Sequence, residues 1–213
     1  MPRAGGKVGD ATATVVAAER PEFDELSERI LEAARGLFAR FGPSRTTMDD
    51  VARIADVSRI TVYRRFSSKD DLLEAAVRRE FQLYFERFQS DIAECATVDD
   101  RVAVGFASSL LYIRQNDFIR ALMTDDPTGF VSSIVGAAGT TQTLVRGFVA
   151  ERLREEQGAG TIATGTDVDL VAEIIVRLTT SFLVTPGALV DLDDRASLVR
   201  VARTALVPLL NPA

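Results

Sequence analysis

The chain has 213 residues and is 46% hydrophobic, enough apolar material for a packed core, which excludes a disordered chain. Histidine is absent and Cys95 is the single cysteine. This removes the commonest general base and metal ligand, excludes Ser-His-Asp and Cys-His machinery, and allows no intramolecular disulfide.

The formal net charge of −6 argues at first against a nucleic-acid partner. Its distribution argues the other way. Residues 35–69 carry eight cations (Arg35, Arg40, Arg45, Arg53, Arg59, Arg64, Arg65, Lys69) against three anions (Asp49, Asp50, Asp56). Residues 81–213 carry eleven Arg/Lys against seventeen Asp/Glu. A basic module on an acidic body suits a DNA-binding domain, although arginines equally decorate solvated helix faces. No apolar run approaches the roughly 18 residues that cross a bilayer. The apolar stretch Ala13 to Ala18 is shorter than the roughly 7–15-residue core of a secretory signal. Residues 1–20 are therefore expected to be a flexible tail on a cytoplasmic protein with no membrane partner.

Every periodic segment reads as helix, so an all-α fold is expected. The first helix opens after Pro21, and Phe23, Leu26, Ile30, Ala33, Ala34, Leu37, Phe38 and Phe41 trace one buried face. It stops at Gly42-Pro43. In the second, "TTMDDVARIA", Thr47 and Asp50 have the spacing of a capping box. After a turn at Asp56-Val57, Ser58 is a good N-cap for a third short helix through about Arg65. Ser68 opens a long fourth helix to about Ala93. Longer helices follow at roughly 98–116, 118–124, 128–156, 167–185 and 193–209. The Gly-rich stretch "QGAGTIATGT" lacks the strand context and GK[ST] of a phosphate loop and reads as a flexible connection.

Two short helices joined by a tight turn, the second rich in cations and hydroxyls, have the layout of a helix-turn-helix. Val57, Val62 and Phe66 are spaced to face the core, which turns Arg59, Ile60, Thr61, Tyr63 and Arg64 outward. Arginine can grip guanine O6 and N7, and threonine or an apolar side chain can meet a thymine methyl. Arg45, Thr46, Thr47, Tyr63 and Lys69 are placed for phosphates. Ile60 has the alternative of packing on the first helix, and Arg65 and Lys69 of pairing with Asp70 and Asp71.

The run "ILEAARGLFARFGPSRTTMDDVARIADVSRITVYRRFSSKDDLL" resembles the DNA-binding domain of TetR-family transcriptional regulators, about a quarter of the chain. The resemblance implies about nine helices, with a helix-turn-helix domain at 21–67 and a ligand-binding, dimerising helical domain at 68–213. It makes Ser58 to Arg64 the base-reading helix, Tyr63 a phosphate ligand and Lys69 the lysine that opens the fourth helix. Two positions depart from the family pattern. Asp56 stands where glycine is usual, and Ile60 where a small residue is frequent.

The resemblance implies a double-stranded DNA operator with an inverted repeat, a small-molecule effector and a homodimer. Stripes at Leu170, Val171, Ile174, Ile175, Leu178 and Phe182, and at Leu198, Val201, Ala202, Ala205, Leu206 and Leu209, suit a dimer through 167–209 or an intrachain core. Effector candidates are Phe106, Leu110, Ile113, Arg114, Phe130 and Ile134, a lining that leans towards a lipophilic ligand. No cofactor, metal site or catalytic residue is expected. The carboxylate pairs Asp125-Asp126 and Glu155-Glu156 are sequence neighbours that do not face each other on a helix, so an enzyme is not expected. A repressor released by its effector is the first functional expectation; an activator or a DNA-independent binding module stays open.

Overall fold

The computed structural model describes residues 23–125, 140–185, 187 and 189–211. The expected tail, the stretch 128–139, Phe130 and Ile134 lie outside the described residues. Among the described residues every regular element is helical. The α-helices are α1 (Glu25–Phe41), α2 (Met48–Ile54), α3 (Arg59–Arg65), α4 (Lys69–Ala93), α5 (Val98–Gln115), α6 (Asp117–Asp125), α7 (Thr140–Gly158), α8 (Val168–Val184) and α9 (Arg195–Ala205), and a 3-10 turn at Val207–Leu209 follows. They divide between two compact units, Met1–Leu83 with Asn116–Thr141 and Tyr84–Gln115 with Gln142–Ala213. The first unit thus takes in α6 and the start of α4 beside the three short helices, beyond the sequence division at residue 67.

In the first unit α1 begins at Glu25 rather than directly after Pro21, because the Asp24 carboxylate accepts from the Ser27 amide at 2.9 Å and caps the helix. Gly42, with φ 78°, ends it. Ile30, Ala34 and Phe38 are fully buried along its inner face. Phe41, expected on that face, is 48% exposed and lies against the Arg40 guanidinium, 5.0 Å from its ring centroid. Helices α2 and α3 have seven residues each, too short to persist alone in water. They are held by burial of Met48, Val51 and Ala52 from α2, and of Val62 and Phe66 from α3 and its C-cap. Phe118 of α6 closes the same core, its ring stacked 6.1 Å from that of Phe38.

The turn between α2 and α3 contains the one described non-glycine residue with positive φ, Asp56 at 53°. Its left-handed backbone is the geometry that glycine adopts without penalty and that Asp tolerates better than most residues. Arg29 of α1 secures this turn, donating from Nη2 to the carbonyl of Ala55 at 2.8 Å.

The second unit has two core clusters. Phe106 and Leu110 of α5 pack with Leu198, Ala202 and Leu206, and Val98 packs with Ala150, Leu153, Ile162, Val171 and Leu210. Much of the two C-terminal stripes therefore serves an intrachain core. Helix α5 approaches α4 closely at Gly105, where a Cβ would fall 2.8 Å from Phe88 Cε2. The Gly-rich connection is not the loose linker expected. Gln157 Nε2 donates to the carbonyls of Ala163 and Thr166, the Thr166 hydroxyl donates to the carbonyl of Leu210, and Ile162 is buried. Side-chain hydrogen bonds and one apolar anchor give it a defined path.

Asp56→Gly is expected to be neutral or stabilising by up to about 1 kcal/mol, and Asp56→Val to cost about 1–2 kcal/mol, because a β-branched residue resists left-handed geometry. Urea unfolding of both variants checks this, and equal stability of the two would contradict it.

Candidate nucleic-acid interface

The interface is organised around the start of α3. The Ser58 hydroxyl accepts from the Thr61 amide at 3.1 Å and lies 2.8 Å from the Thr61 hydroxyl, so both side chains are partly committed to the cap. With Val62 fully buried and Phe66 6% exposed, the opposite face of α3 points to solvent. Ile60 is 73% exposed, which rules out the alternative of packing on α1. Tyr63 is 40% exposed and Arg59 and Arg64 are also exposed.

Arg59 does not hang freely. Its Nε lies 3.0 Å from Asp49 Oδ1 and its Nη1 donates to Asp49 Oδ2 at 3.2 Å, a two-point ion pair between α3 and α2. Its guanidinium carbon sits 5.3 Å from the Tyr63 ring centroid, within cation–π range. The Tyr63 hydroxyl first, and Asp49 second, raise the Arg59 pKa further above its ordinary value.

The flanking residues divide into outward and inward groups. Arg45 and Thr47 are exposed, and the Thr47 hydroxyl is engaged in the expected capping box, donating to Asp50 Oδ2 at 2.6 Å and accepting from the Asp50 amide at 3.2 Å. Thr46 requires a correction. Its side chain is buried, 3% exposed, and its hydroxyl donates to the Gly42 carbonyl at 2.9 Å, so it ties the turn and cannot reach a phosphate. Lys69 donates from Nζ to the Pro43 carbonyl at 2.9 Å, which fixes the start of α4 to the turn after α1. An ammonium has three donors, so this bond leaves two for another acceptor. Arg65 pairs with Asp24 at 2.7 Å, not with Asp70 or Asp71, and ties the end of α3 to the cap of α1.

Two carboxylates here titrate below their ordinary 3.8: Asp24, through hydrogen bonds from Ser27 aided by Arg65, and Asp50, through hydrogen bonds from Thr47 and Arg53. The sequence pattern marks neither Arg29 nor Asp24, and Asp49 enters it only as an anion of the basic window. Their partners lie 26, 41 and 10 positions away, too far for any helical or strand periodicity to signal.

In the second unit the expected effector residues scatter. Phe106 and Leu110 are 3% and 0% exposed among core side chains. Ile113 is half-buried. Arg114 makes a bidentate pair with Asp193, Nη2 to Oδ1 at 3.0 Å and to Oδ2 at 3.1 Å. A cluster not anticipated brings together half-buried aromatic residues of α4, α5 and α7. Tyr84 lies 5.4 Å from Tyr112, and Phe85 and Phe88 lie 4.7 Å and 6.0 Å from Phe148. The Tyr84 hydroxyl is 2.8 Å from that of Ser109, and burial raises its pKa. Tyr84 and Phe88 stand one helical turn apart on α4, whereas Phe148 reaches Phe88 from α7, about 60 positions away. Among the described residues no group of three or more potential ligands could hold a metal, and no helix is long and apolar enough to cross a membrane.

Two seven-residue helices set on a buried core, with an outward cationic and apolar face, define a helix-turn-helix DNA-binding transcriptional regulator. Residues 30–76 match the profile of bacterial regulatory proteins of the tetR family. An HTH-type transcriptional regulator of Mycobacterium tuberculosis is 28% identical over 187 residues, covering 88% of this chain and 86% of the relative. Among solved structures, the fatty acid degradation regulator FadR from Bacillus halodurans superposes with a TM-score of 0.59 at 16% identity, over 92% of this chain and 97% of that one. The transcriptional repressor QsdR of R. erythropolis, from the TetR family, gives a TM-score of 0.55 at 17% identity, over 88% and 95%. Residues 30–76 thus carry the DNA-binding domain of tetR-family regulators, and most of the chain is similar to HTH-type transcriptional regulators.

Each lowered carboxylate is charged in the folded state at pH values where the unfolded chain has begun to bind protons. The stability it contributes is fully present above its ordinary pKa and is lost as pH falls through the lowered value. Unfolding midpoints are expected to stay level from about pH 7 to 5 and to fall below about pH 4. Thr47→Ala should cost about 1 kcal/mol at neutral pH and shrink the acid loss, since it removes the bonds that lower Asp50. A midpoint that rises on acidification below that range would contradict the assignment.

Proposed function

We propose that the protein is a ligand-responsive repressor that binds an inverted-repeat operator as a homodimer and is released by a small-molecule effector. The carrying observation is the outward face of α3, where a 73%-exposed isoleucine stands between two exposed arginines. An apolar side chain gains nothing from water, but beside a thymine methyl it is covered. In this reading Arg59, Ile60, Thr61 and Arg64 meet base edges, with Ser58 starting the helix. Arg45, the Thr47 cap region, Tyr63 and Lys69 meet phosphates. Residues 21–67 then form the DNA-binding domain and 68–213 the ligand-binding and dimerisation domain.

Dimerisation through 167–209 is supported by the part of the α8 stripe that its own chain leaves accessible. Leu170 is 55% exposed, and Ile174, Leu178 and Phe182 are half-buried. A pair of such faces covers this surface, and a dimer with two copies of α3 about 34 Å apart, one turn of the duplex, would read a pseudo-palindrome. For the effector, the aromatic cluster around Tyr84 and Phe148 favours a lipophilic or aromatic ligand over a charged one. An effector that binds better to the state with misplaced reading helices moves the population off the operator, by no more than its differential affinity allows.

Selection from a random duplex pool at moderate salt is expected to enrich inverted repeats; enrichment of no palindrome would overturn the proposal. Arg64→Ala should cost about 1–3 kcal/mol on the enriched site and relax one position. Lys69→Ala should weaken all sequences alike and flatten the log–log salt slope by about 0.9 per subunit. Identical behaviour of the two variants in a binding titration would refute the division of roles.

A further inference from the structure

We propose that Asp49 is a specificity-determining positioning residue: it holds Arg59 so that the free edge of the guanidinium meets a base instead of wandering to the phosphates. This rests on the reading above that Arg59 contacts a base edge.

The geometry carries the inference. A guanidinium has five N–H groups in a rigid plane. Asp49 Oδ2 accepts from an N–H on Nη1 at 3.2 Å, and its Oδ1 lies 3.0 Å from Nε as an ion-pair contact. The donors on Nη2 are not part of this pair, and a guanidinium N–H can be offered to guanine O6 or N7. Tyr63 lies under one face of the same plane, 5.3 Å from its centre. The ion pair, the Tyr63 contact and the backbone origin thus restrict the guanidinium before DNA arrives. A long arginine without such supports has many rotamers, and phosphates surround it on the duplex; most would satisfy it without regard to sequence. Asp49 is placed to hold Arg59 because it stands in the first turn of α2 while Arg59 opens α3.

A carboxylate at a DNA face should weaken binding to every duplex through repulsion. Asp49 is 60% exposed on its side chain, so burial does not explain an anion at this place. Raising specificity by disfavouring non-specific contacts does explain it.

The test uses the full chain, an inverted-repeat duplex enriched from a random pool by the wild-type protein, and a scrambled duplex of equal length. Binding of both is followed by fluorescence anisotropy over a salt series. Asp49→Ala is expected to lower the ratio of the two affinities about five- to tenfold, mainly by tightening the scrambled duplex, and to steepen its salt slope by about 0.9 per subunit. Asp49→Glu, which keeps the charge, should restore most of the ratio. Arg59→Ala should lower the ratio by itself, and adding Asp49→Ala to it should change the ratio no further. If Arg59→Ala lowers the ratio while Asp49→Ala shifts both duplexes equally, the inference fails and the base-reading role of Arg59 survives. If Arg59→Ala leaves the ratio unchanged, that role fails and this inference with it. Should Asp49→Ala unfold, Asp49→Ser, which suits a helix start, answers the same question.

Discussion

A seven-residue helix cannot sustain itself in water, and the outward face of α3 depends on that limit being overcome. Val62 and Phe66 supply the anchoring. Once both are buried, the rotation of α3 is fixed, because side chains 100° apart on a helix cannot be turned independently. The surrounding contacts then fix what burial leaves loose. Ser58 sets the first residue, Arg29 holds the turn before it, and the Arg65–Asp24 pair holds its end. These polar contacts are each modest, since exposed ion pairs contribute about 0–1 kcal/mol. Their value is geometric: each removes one way in which α3 could rotate or slide.

The cations of the basic window do not all serve the same purpose. Arg65 and Lys69 are bonded to a cap and a turn of the first unit, whereas Arg45 and Arg64 are exposed. Arg59 is both committed and presented. An acidic chain can therefore bind a polyanion without contradiction, because the local field at the helix-turn-helix and not the sum over the chain governs approach to DNA.

What could be read in the sequence follows from how local the interaction is. The Thr47/Asp50 box and the Ser58 cap lie within one turn and were legible. So was the left-handed residue Asp56, once the family pattern made its missing glycine visible. Contacts that join separate elements were not. Asp49–Arg59, Arg29–Ala55 and Arg114–Asp193 each join two ordinary surface-type residues that sequence leaves indistinguishable from solvated charges. Thr46 misled because a hydroxyl at a helix start suits a phosphate and an internal carbonyl equally well. The division between core and ligand lining is illegible in the sequence for a related reason. Phe106 and Leu110 are as apolar as any pocket wall, and only packing against α9 identifies them as interior.

The connection between α7 and α8 carries a consequence for protein engineering. Glycine-rich surface loops are the usual choice for splicing in a reporter or an affinity peptide. Here the segment is knitted to the closing residues of the chain, Ala163 accepting no slack because its amide is bonded to the Asn211 side chain at 3.0 Å, and Thr166 reaching Leu210 at 2.8 Å. A peptide inserted between them would pull on the last turn and on Ile162 at once. Glycine content and tolerance to insertion are separate properties, and in this protein they part company.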